Sequence, residues 1–477
     1  MTKPDDTTAY LSGAEALRLF KAKSLSPLEY LEACIARAEA VEPTVNAIAD
    51  RFYEAARKAA AMATDRYAGG APTGPLDGLP LAVKEADKLA GTRRPNGSLI
   101  HKDRVDSDTA PVVERLLAAG AIPHMKTTVP EFCILGATHS RLYGVTRNPW
   151  NPDFGPGGSS GGSGAVLATG GSPLATGSDI GGSIRIPASA CGVVGYKPPY
   201  GRNPAPSGSN LDTYCHYGVM SRTVIDTALM QNVVSGRHPR DIASLADRVV
   251  VPTEAPANLR GKRIAYSIDL GAYEVDHGVA AATRQAIQVL RDLGAVVEEV
   301  ETGWTSEITR AAERYFAHGW GNTMSKDFER DRTFMTGYAI DYILAAKSAT
   351  PEDYHYARTV EAQMYDRFGP MMEGYDAFVC PTLALPSVPA EFHPLKTPLV
   401  FNGVEKIVSD DDWAMTTPFN TLSRLPVLSV PSGMHETGVP TGIQIVGRAY
   451  DDVSVFQVGL AYEQAFPWLQ AGNRPLA

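Results

Sequence analysis

Short apolar runs that alternate with helical segments restrict the fold of this chain more than any other feature. From about residue 76, the runs "GLPLAVKEA", "IPHMKTT" and "GVVGYKP" are separated by segments with a helical pattern, such as "DTAPVVERLLAAGA". Buried strands that alternate with helices are typical of an α/β fold, in which helices cover a sheet. A second alternation after residue 225 comprises "GKRIAYSI", a helix that begins at Asp276, and "AVVEEV". We expect it to extend the same sheet or to form a subdomain.

The first sixty residues have the period of helices instead. In "SPLEYLEACIARAEAVE", Ser26 is predicted to be an N-cap, with Pro27 as the first helical residue and Glu29 completing a capping box. The 477 residues exceed the roughly 250 to 300 at which a single core stops growing, so one large or two unequal domains are expected. We favour one large domain made of a helical N-terminal segment (1–70), a central core (71–225) and the remainder of the sheet (226–477).

Aromatic residues are concentrated between residues 304 and 368, where 12 of the 65 positions carry one, against 8% in the whole chain. At helical spacing, most of them are expected to belong to the core. A lid, or the wall of a substrate pocket, is the alternative interpretation. We therefore predict a helical, aromatic-rich cap at about 304–370.

Composition excludes several classes of protein. The net charge is −9 and no run of Lys and Arg is present, so nucleic acid is a poor partner. No stretch approaches the roughly 18 apolar residues of a membrane span, and "MTKPDDTTAYLSG" lacks the apolar region of a signal peptide. We accordingly expect no membrane association and a cytoplasmic location.

Cysteine and histidine spacing suggests neither a disulfide framework nor a metal site. The five cysteines lack CxxC spacing, and the ten histidines lack an HExxH pattern. Free cysteines are usually small buried residues. This interpretation applies to Cys34, Cys133, Cys191, Cys215 and Cys380.

The stretch "SDIGGSIRIPASACG" contains a candidate nucleophile, Ser183, directly after two glycines. Without side chains, Gly181 and Gly182 allow consecutive backbone N–H groups to turn toward one point and bind a developing oxyanion. Taken alone, however, a Gly-Gly-Ser tripeptide is a weak signal, because many such tripeptides lie in ordinary loops. No histidine lies within about thirty residues of Ser183, so the acceptor of its proton must come from elsewhere in the chain.

A second serine cluster, "GPGGSSGGSG", contains GxSxG from Gly157 to Gly161. This pattern would make Ser159 the nucleophile of an α/β-hydrolase. Such a nucleophile follows a strand directly, whereas the preceding "NPWNPDFGP" is too rich in proline for a central strand. A phosphate-binding loop is also excluded, because neither GxxxxGK[ST] nor GxGxxG is complete.

Lys84, at the end of the apolar run in "GLPLAVKEADKLAG", has two interpretations as well. Most lysines are solvated, so this one would simply mark the exposed end of a strand. A lysine becomes a base when burial or its neighbours disfavour the charged form. Because an exposed lysine at pH 7 is neutral only about once in 10³ to 10⁴, Lys84 has to be buried if it is a base.

One explanation covers all three elements, because the chain resembles the amidase signature family. The resemblance is carried by "GLPLAVKEADKLAG", by "NPWNPDFGPGGSSGGSGAVLATGGSPLATGSDIGGSIRIPASACGVVGYKPPYGR" and by the C-terminal "LPVLSVPSG" and "GIQIVG". It spans nearly the whole chain. The fold it implies is a large mixed, twisted β-sheet with helices on both faces. The site it implies is a Ser–cis-Ser–Lys triad with Ser183 as nucleophile, Ser159 as bridging serine and Lys84 as base.

The resemblance also assigns residues around this triad. The oxyanion hole would consist of the backbone N–H groups of Ile180, Gly181, Gly182 and Ser183. The supporting residues would be Ser160, as a hydrogen-bonding serine, and the structural pair Asp179 and Arg185. Lys126 matches a lysine of the family that is not the base. The chain departs from the family pattern at Tyr196, Pro199 and Cys380, which puts substrate choice in question more than mechanism.

The activity that the resemblance implies is hydrolysis of a small amide through an acyl-enzyme on Ser183, with water as second substrate. Aryl amides, carbamates (urethanes) and esters belong to the same range. No cofactor and no metal is implied, and a homodimer is compatible with the sequence. The alternative is the catalytic subunit of a glutamine-dependent amidotransferase acting on charged tRNA, although "GRNPAPSGSNLDTYCHYGVMSRTV" looks unlike the glutamine-specific version. A non-catalytic scaffold is disfavoured by the intact triad.

Overall fold

The computed structural model describes residues 6–321, 323–468 and 472–476. Its strands, numbered along the chain, are β1 (Ile48–Arg51), β2 (Pro80–Lys84), β3 (Ile122–Thr127), β4 (His139–Ser140), β5 (Gly144–Val145), β6 (Leu174–Asp179), β7 (Val194–Lys197), β8 (His216–Ser221), β9 (Arg263–Tyr266), β10 (Val296–Glu299), β11 (Ala377–Pro381), β12 (Leu399–Phe401), β13 (Val404–Lys406), β14 (Val427–Met434) and β15 (Pro440–Val446). Strands β4 with β5, and β12 with β13, form two small separate pairs.

The α-helices are α1 (Asp6–Ala9), α2 (Gly13–Lys21), α3 (Pro27–Val45), α4 (Tyr53–Ala68), α5 (Pro111–Ala118), α6 (Gly161–Ala168), α7 (Arg185–Cys191), α8 (Val224–Val234), α9 (His277–Asp292), α10 (Glu307–Phe316), α11 (Ser325–Asp331), α12 (Gly337–Ala346), α13 (Pro351–Met372), α14 (Pro418–Thr421) and α15 (Asp452–Ala465). Ser26 and Glu29 form the predicted capping box of α3, and the side chain of Asp276 caps α9. The short polar caps therefore mark helix starts as expected.

Eleven strands form one mixed sheet in the order β1-β3-β2-β6-β8-β7-β14-β15-β11-β9-β10. Strand β2 runs parallel to β3 and β6, and β9 runs parallel to β10 and β11. The central pairs, from β6 through β8, β7, β14 and β15 to β11, are antiparallel. Strands from both halves of the chain thus join in one layer, and the predicted α/β fold with a mixed sheet is confirmed.

Side chains of β2 alternate between two helical layers, which explains why this strand is apolar up to its last residue, Lys84. Leu81 and Val83 pack in a cluster with residues of α5 and α8, whereas Ala82 packs with residues of α6 and α7. Successive side chains of a strand point to opposite faces, so helices cover both faces of the sheet. The same alternation places Lys84 on the face of Ala82, which α6 and α7 cover.

The N-terminal segment is not helical throughout, contrary to the expectation for 1–70. Ile48–Arg51 forms β1, which pairs antiparallel with β3 at the edge of the sheet. Only the first of its four residues is buried. A strand of four residues has too few positions to show a period of two, and the helical pattern on either side conceals it.

One of the five cysteines does not behave as a core residue. Cys34, Cys191, Cys215 and Cys380 are buried, as expected, but Cys133 is partly exposed. It lies on a turn that borders the large cavity described below, and it is one of the residues that line this cavity. The five cysteines are free thiols.

The departures from the family pattern concern packing. Tyr196 is buried and its hydroxyl donates to Asp452 Oδ1 over 2.8 Å. Cys380 is buried in β11, where it accepts a weak hydrogen bond from Gln444. Neither these two residues nor Pro199 lines the large cavity, so the expected influence on substrate choice is not supported.

The described residues between 307 and 372 are helices and turns, and they pack over one part of the sheet. Trp304, Tyr315, Tyr338 and Phe368 are buried in a cluster that also includes residues of β11 and α14. A π-helical turn, Ala317–Gly321, continues α10. None of the described helices is long and apolar enough to cross a bilayer.

Candidate active site

Lys84 is fully buried at the end of β2. Its Nζ lies 2.8 Å from Ser159 Oγ and 2.9 Å from Ser178 Oγ. Its backbone N–H donates to Thr176 Oγ1 over 2.9 Å, which ties the strand end to β6. Among the described residues Lys84 forms no ion pair, so hydroxyl groups are the polar partners of its amine.

Ser159 is brought to Lys84 by the glycine-rich turn that precedes α6. The peptide bond between Gly158 and Ser159 is cis. A Cβ at Gly158 would lie 2.4 Å from Leu135 O, so the turn packs too closely on the neighbouring backbone for any side chain. The backbone N–H of the next residue, Ser160, donates to Ser183 O over 3.1 Å, which brings this turn against the loop of the candidate nucleophile.

Residues 180–183 connect β6 to α7 and carry four consecutive backbone N–H groups. In the part of the chain that the structure describes, these N–H groups have no protein acceptor, whereas those of Ile184 and Arg185 donate to Asp179 Oδ2. Gly181 O accepts hydrogen bonds from Thr416 Oγ1 (2.7 Å) and Thr417 Oγ1 (3.1 Å). Because the C=O and N–H of a trans peptide point in opposite directions, the N–H of Gly182 points away from these threonines.

Gly182 is required by this geometry. Its φ of 127° is one that side chains rarely adopt, and a Cβ would lie 1.9 Å from Thr416 Oγ1. At Gly181, by contrast, a Cβ would make an ordinary contact of 3.4 Å with the ring of Phe316. The two glycines that the sequence presents as a pair therefore have different roles.

The predicted structural pair lies beneath this loop. Arg185 donates to both carboxylate oxygens of Asp179, over 3.0 Å and 2.8 Å, and both side chains are fully buried. Burial alone would raise the pKa of Asp179, but the charge and hydrogen bonds of Arg185, with a hydrogen bond from Asn420, hold it well below its usual range. The ion pair thus ties the end of β6 to the start of α7. The hydroxyl of Ser160 contacts Ser178 O at 3.5 Å.

Several residues that contact the site were missed at the sequence level. Ser178 and Thr176 alternate along β6 and both contact Lys84, so the period of this strand was the signal for them. Thr416, Thr417 and Asn420 reach the nucleophile loop from the distant segment before and within α14. No local sequence pattern predicts these three residues, because they contact the nucleophile loop only when β14 joins the sheet.

Ser183 opens onto a cavity of about 520 Å³. Aromatic and aliphatic side chains form much of its wall, and Gly158, Ile180 and Gly181 form part of its floor beside Ser183. Among its lining residues are Phe132, Cys133, Ile134, Leu135, Ile186, Phe316, Trp320, Tyr338, Tyr342 and Leu395. A cavity of this size and character suits a small organic molecule.

Five carboxyl groups also border this cavity, and three of them, those of Glu313, Asp410 and Asp411, have a pKa shifted in the same direction. Burial raises the pKa of each of them, for Asp410 to about 7. Asp410 accepts the backbone N–H of Gly136 over 3.0 Å, and Asp411 accepts Thr417 Oγ1 over 3.0 Å. Near neutral pH the raised pKa of Asp410 leaves this carboxyl partly protonated, able to donate as well as accept.

Two other basic side chains, Lys126 and His216, have main-chain partners instead of a serine hydroxyl. Lys126 Nζ donates to Arg93 O over 2.9 Å and to Glu85 O over 3.3 Å. The ring nitrogens of His216 contact the main-chain oxygens of Asp179 and Ser423. Among the described residues, no three His, Cys, Asp or Glu side chains are grouped as metal ligands would be.

Comparison with known proteins agrees with this fold. The Amidase family model matches residues 29–456. An acylamidase of Rhodococcus erythropolis is 33% identical over 462 residues, which cover 96% of each chain. A glutamyl-tRNA(Gln) amidotransferase subunit from Chloroflexus aurantiacus is 34% identical over 487 residues, which cover 96% of this chain and 97% of the relative.

A solved structure of a bacterial aryl acylamidase, described as an amidase signature enzyme, has a TM-score of 0.89 to this chain at 30% identity. The match covers 98% of this chain and 99% of that one. Fold and relatives together define the class of this protein, a hydrolase that acts on amides. The chain belongs to the amidase signature family.

Proposed function

We propose that this enzyme cleaves the C–N bond of small amides through an acyl-enzyme on Ser183. The observation that carries the proposal is the buried contact of 2.8 Å between Lys84 Nζ and Ser159 Oγ, beside a loop whose N–H groups have no acceptor among the described residues. That loop opens onto a cavity of about 520 Å³. A nucleophile, a proton acceptor and an anion-binding loop are what acyl transfer requires.

The reaction begins with a proton relay. Lys84 takes the proton of Ser159, and Ser159 takes the proton of Ser183. Ser183 Oγ then attacks the carbonyl carbon of the amide, and the negative charge that develops on the carbonyl oxygen is bound by N–H groups of residues 180–183. A single donor of this kind typically contributes about 3 to 4 kcal/mol of transition-state stabilisation.

Expulsion of the amine requires the proton to return. Lys84 and Ser159 together hold that proton and deliver it to the nitrogen as the C–N bond breaks. A water molecule then repeats the sequence on the acyl-enzyme, which releases the acid and restores Ser183. Ser178, which contacts Lys84 Nζ at 2.9 Å, orients the amine toward Ser159.

Aryl amides are the substrates that the cavity suits best, because aromatic side chains such as Phe132, Phe316 and Tyr342 line it. The aryl acylamidase structure supports the choice of an aryl amide, and the acylamidase relative supports an amide. Carbamates and esters present the same carbonyl to Ser183, so we include them in the proposed range.

Two variants test the relay. We expect Ser183→Ala and Lys84→Ala to lower kcat on a p-nitroanilide by about 10³ or more, because each removes a group that acts as part of one unit. The buried Lys126 serves as the matched control, and Lys126→Met should retain kcat within about tenfold. Near-wild-type turnover by either triad variant would refute the assignment.

A direct observation of the intermediate complements the kinetics. Rapid quenching of wild-type enzyme with an aryl ester, followed by mass spectrometry, should show a covalent acyl group on the peptide that contains Ser183. A screen of carbamates, esters and anilides with the purified chain measures the breadth of the substrate range. A label that maps to another residue contradicts the proposed nucleophile.

The second candidate is the catalytic subunit of a glutamine-dependent amidotransferase acting on charged tRNA, which the similarity to the glutamyl-tRNA(Gln) amidotransferase relative favours. Such a catalytic subunit is expected to need partner chains. Turnover of anilides by the purified chain alone supports the amidase. Glutaminase activity that appears only with copurified partners supports the amidotransferase.

A further inference from the structure

Asp212 joins the loop between β7 and β8 to the aromatic cap. Its Oδ1 accepts a hydrogen bond from Tyr315 Oη and its Oδ2 accepts one from Trp320 Nε1, each over 2.6 Å. Tyr315 lies near the end of α10, and Trp320 lies in the π-helical turn that follows. One carboxylate therefore holds both sides of the segment between them.

The same loop is itself anchored next to the nucleophile loop. Tyr214, two residues after Asp212, stacks on Tyr315 with ring centroids 3.7 Å apart and an interplanar angle of 10°. Its carbonyl oxygen accepts Asn420 Nδ2 over 3.1 Å, and the same Nδ2 lies 2.8 Å from Asp179 Oδ1. The cap is thus connected to the ion pair beneath the Ser183 loop.

These contacts fix the position of Phe316. It follows Tyr315 directly, and its ring packs edge-on against Tyr214. A Cβ at Gly181 would lie 3.4 Å from Phe316 Cζ, so the ring sits directly over the backbone of the candidate oxyanion loop. Phe316 and Trp320 both line the cavity that contains Ser183.

We propose that Asp212 is a positioning residue that holds Phe316 over Gly181 and thereby determines how the cavity accepts an aryl group. This inference rests on the proposed amide hydrolysis at Ser183. The carboxylate does not touch the reacting atoms and does not line the cavity. It acts through Tyr315 and Trp320, whose hydrogen bonds fix the segment that contains Phe316, the last residue of α10. Turns of π-helix are frequent at functional sites, in keeping with this placement.

If Asp212 has this role, its substitution should affect the turnover of an aryl amide more than that of an amide without an aryl group. Asp212→Asn keeps the volume of the side chain but removes its charge and one of its two acceptors. We expect the KM for p-nitroacetanilide to rise about tenfold, because hydrogen bonds to a charged group are the stronger ones. Tyr315→Phe keeps the ring and removes one hydrogen bond, and it should raise this KM about threefold. For propionamide, which has no aryl group, kcat/KM should stay within about twofold in both variants.

A double-mutant cycle tests whether Asp212 acts through Phe316. Phe316→Ala alone should raise the anilide KM at least as much as Asp212→Asn. If the two residues act in sequence, the double variant should show no further increase over Phe316→Ala. Additive effects would show that Asp212 acts on the substrate by another route.

Tryptophan fluorescence provides a readout that does not depend on turnover. The emission of Trp320 is obtained as the difference between each protein and its Trp320→Phe counterpart. Acrylamide should quench this emission more strongly in Asp212→Asn, because the released indole is less firmly held. Asp366→Asn, an exposed position on α13, is the control and should change neither quenching nor KM.

The outcomes separate the two proposals. Wild-type protein that cleaves neither amide contradicts the proposed function, whatever the quenching shows. Wild-type turnover combined with an unchanged anilide KM in Asp212→Asn overturns the role of Asp212 alone. An equal loss on both substrates also overturns it, because a general defect of the fold is not selective. If Asp212→Asn fails to fold, Tyr315→Phe decides by the same criteria.

Discussion

At the scale of single residues, the candidate site depends on a position that has no room for a side chain. Gly182 has a φ of 127° and faces Thr416 so closely that a Cβ would overlap its hydroxyl. Thr416 cannot simply move away, because its hydroxyl donates to Gly181 O. The unpaired N–H groups of this loop therefore depend on a glycine at one position and on a distant threonine at another.

Gly182→Ala is expected to lower kcat on an anilide by about 100-fold or more, because the loop must shift and its N–H groups then no longer point at the oxyanion. Steady-state kinetics of the purified variant measure this. Gly181→Ala is the matched comparison, since its Cβ would meet Phe316 at an ordinary 3.4 Å. We expect Gly181→Ala to retain activity within about tenfold. Equal losses in the two variants would contradict the distinction between these glycines.

At the scale of elements, a half-buried carboxyl joins two helices on one face of the sheet. Glu463 of α15 accepts the backbone N–H of Val224, the first residue of α8, over 2.7 Å. Burial raises the pKa of Glu463 to about 8, and the charge of Asp226 adds to this, although the hydrogen bond from Val224 opposes it. Near neutral pH the folded protein therefore retains a proton that the unfolded chain releases.

The raised pKa of Glu463 makes the free energy of unfolding depend on pH in a definite direction. The contribution of a carboxyl with a raised pKa is fully present below the unfolded pKa near 4.5, and it is lost as pH rises through the folded pKa of about 8. Glu463→Gln removes this dependence. We expect the free energy of unfolding to fall less between pH 5 and pH 8 in the variant, by about 1 kcal/mol or more, after allowance for the partial exposure of the side chain.

Urea unfolding at pH 5, 6.5 and 8 measures this difference. Glu54→Gln, at an exposed position of α4, is the control and should follow the wild-type curve. If Glu463→Gln follows the wild-type curve too, then this carboxyl is not protonated in the folded protein.

At the scale of the whole molecule, the two halves of the chain complete one another. Strand β14 pairs with β7, and Val427 lies opposite Lys197 in that pairing. Asn420 and Thr416, also from the second half, hold Asp179 and Gly181 of the first. Without the second half of the chain, the core predicted for 71–225 therefore lacks β14, the neighbour of β7. It also lacks the side chains that hold its nucleophile loop.

We expect the separate fragments 1–225 and 226–477 to show no cooperative unfolding transition and no amidase activity. Circular dichroism during urea titration, with an anilide assay, provides the measurement. The control is full-length protein cut after folding at a protease site inserted near residues 256–258, where the chain is largely exposed. The cut protein should stay folded and active. A cooperative transition in fragment 1–225 alone would show that it is an independent domain.

Much of the fold could be predicted because its signals are local. The apolar runs of β2, β3 and β7 and the starts of α3 and α9 each depend on a few adjacent residues. Strand β1 was missed, since four residues, of which only the first is buried, are too few to show a period of two. The order of the strands was not predictable in this way, because pairing joins segments that are hundreds of residues apart.

The sequence by itself determined the α/β class, and its signature motifs singled out Lys84, Ser159 and Ser183 as candidates. These come from short segments in which glycine, serine and lysine have specific chemical uses. Only the tertiary structure decided what surrounds them: Ser178 beside Lys84, Thr416 on Gly181, and Asp212 between two aromatic donors of the cap. The physical reason is that strand register and side-chain packing set these contacts, and both depend on residues far apart in the chain.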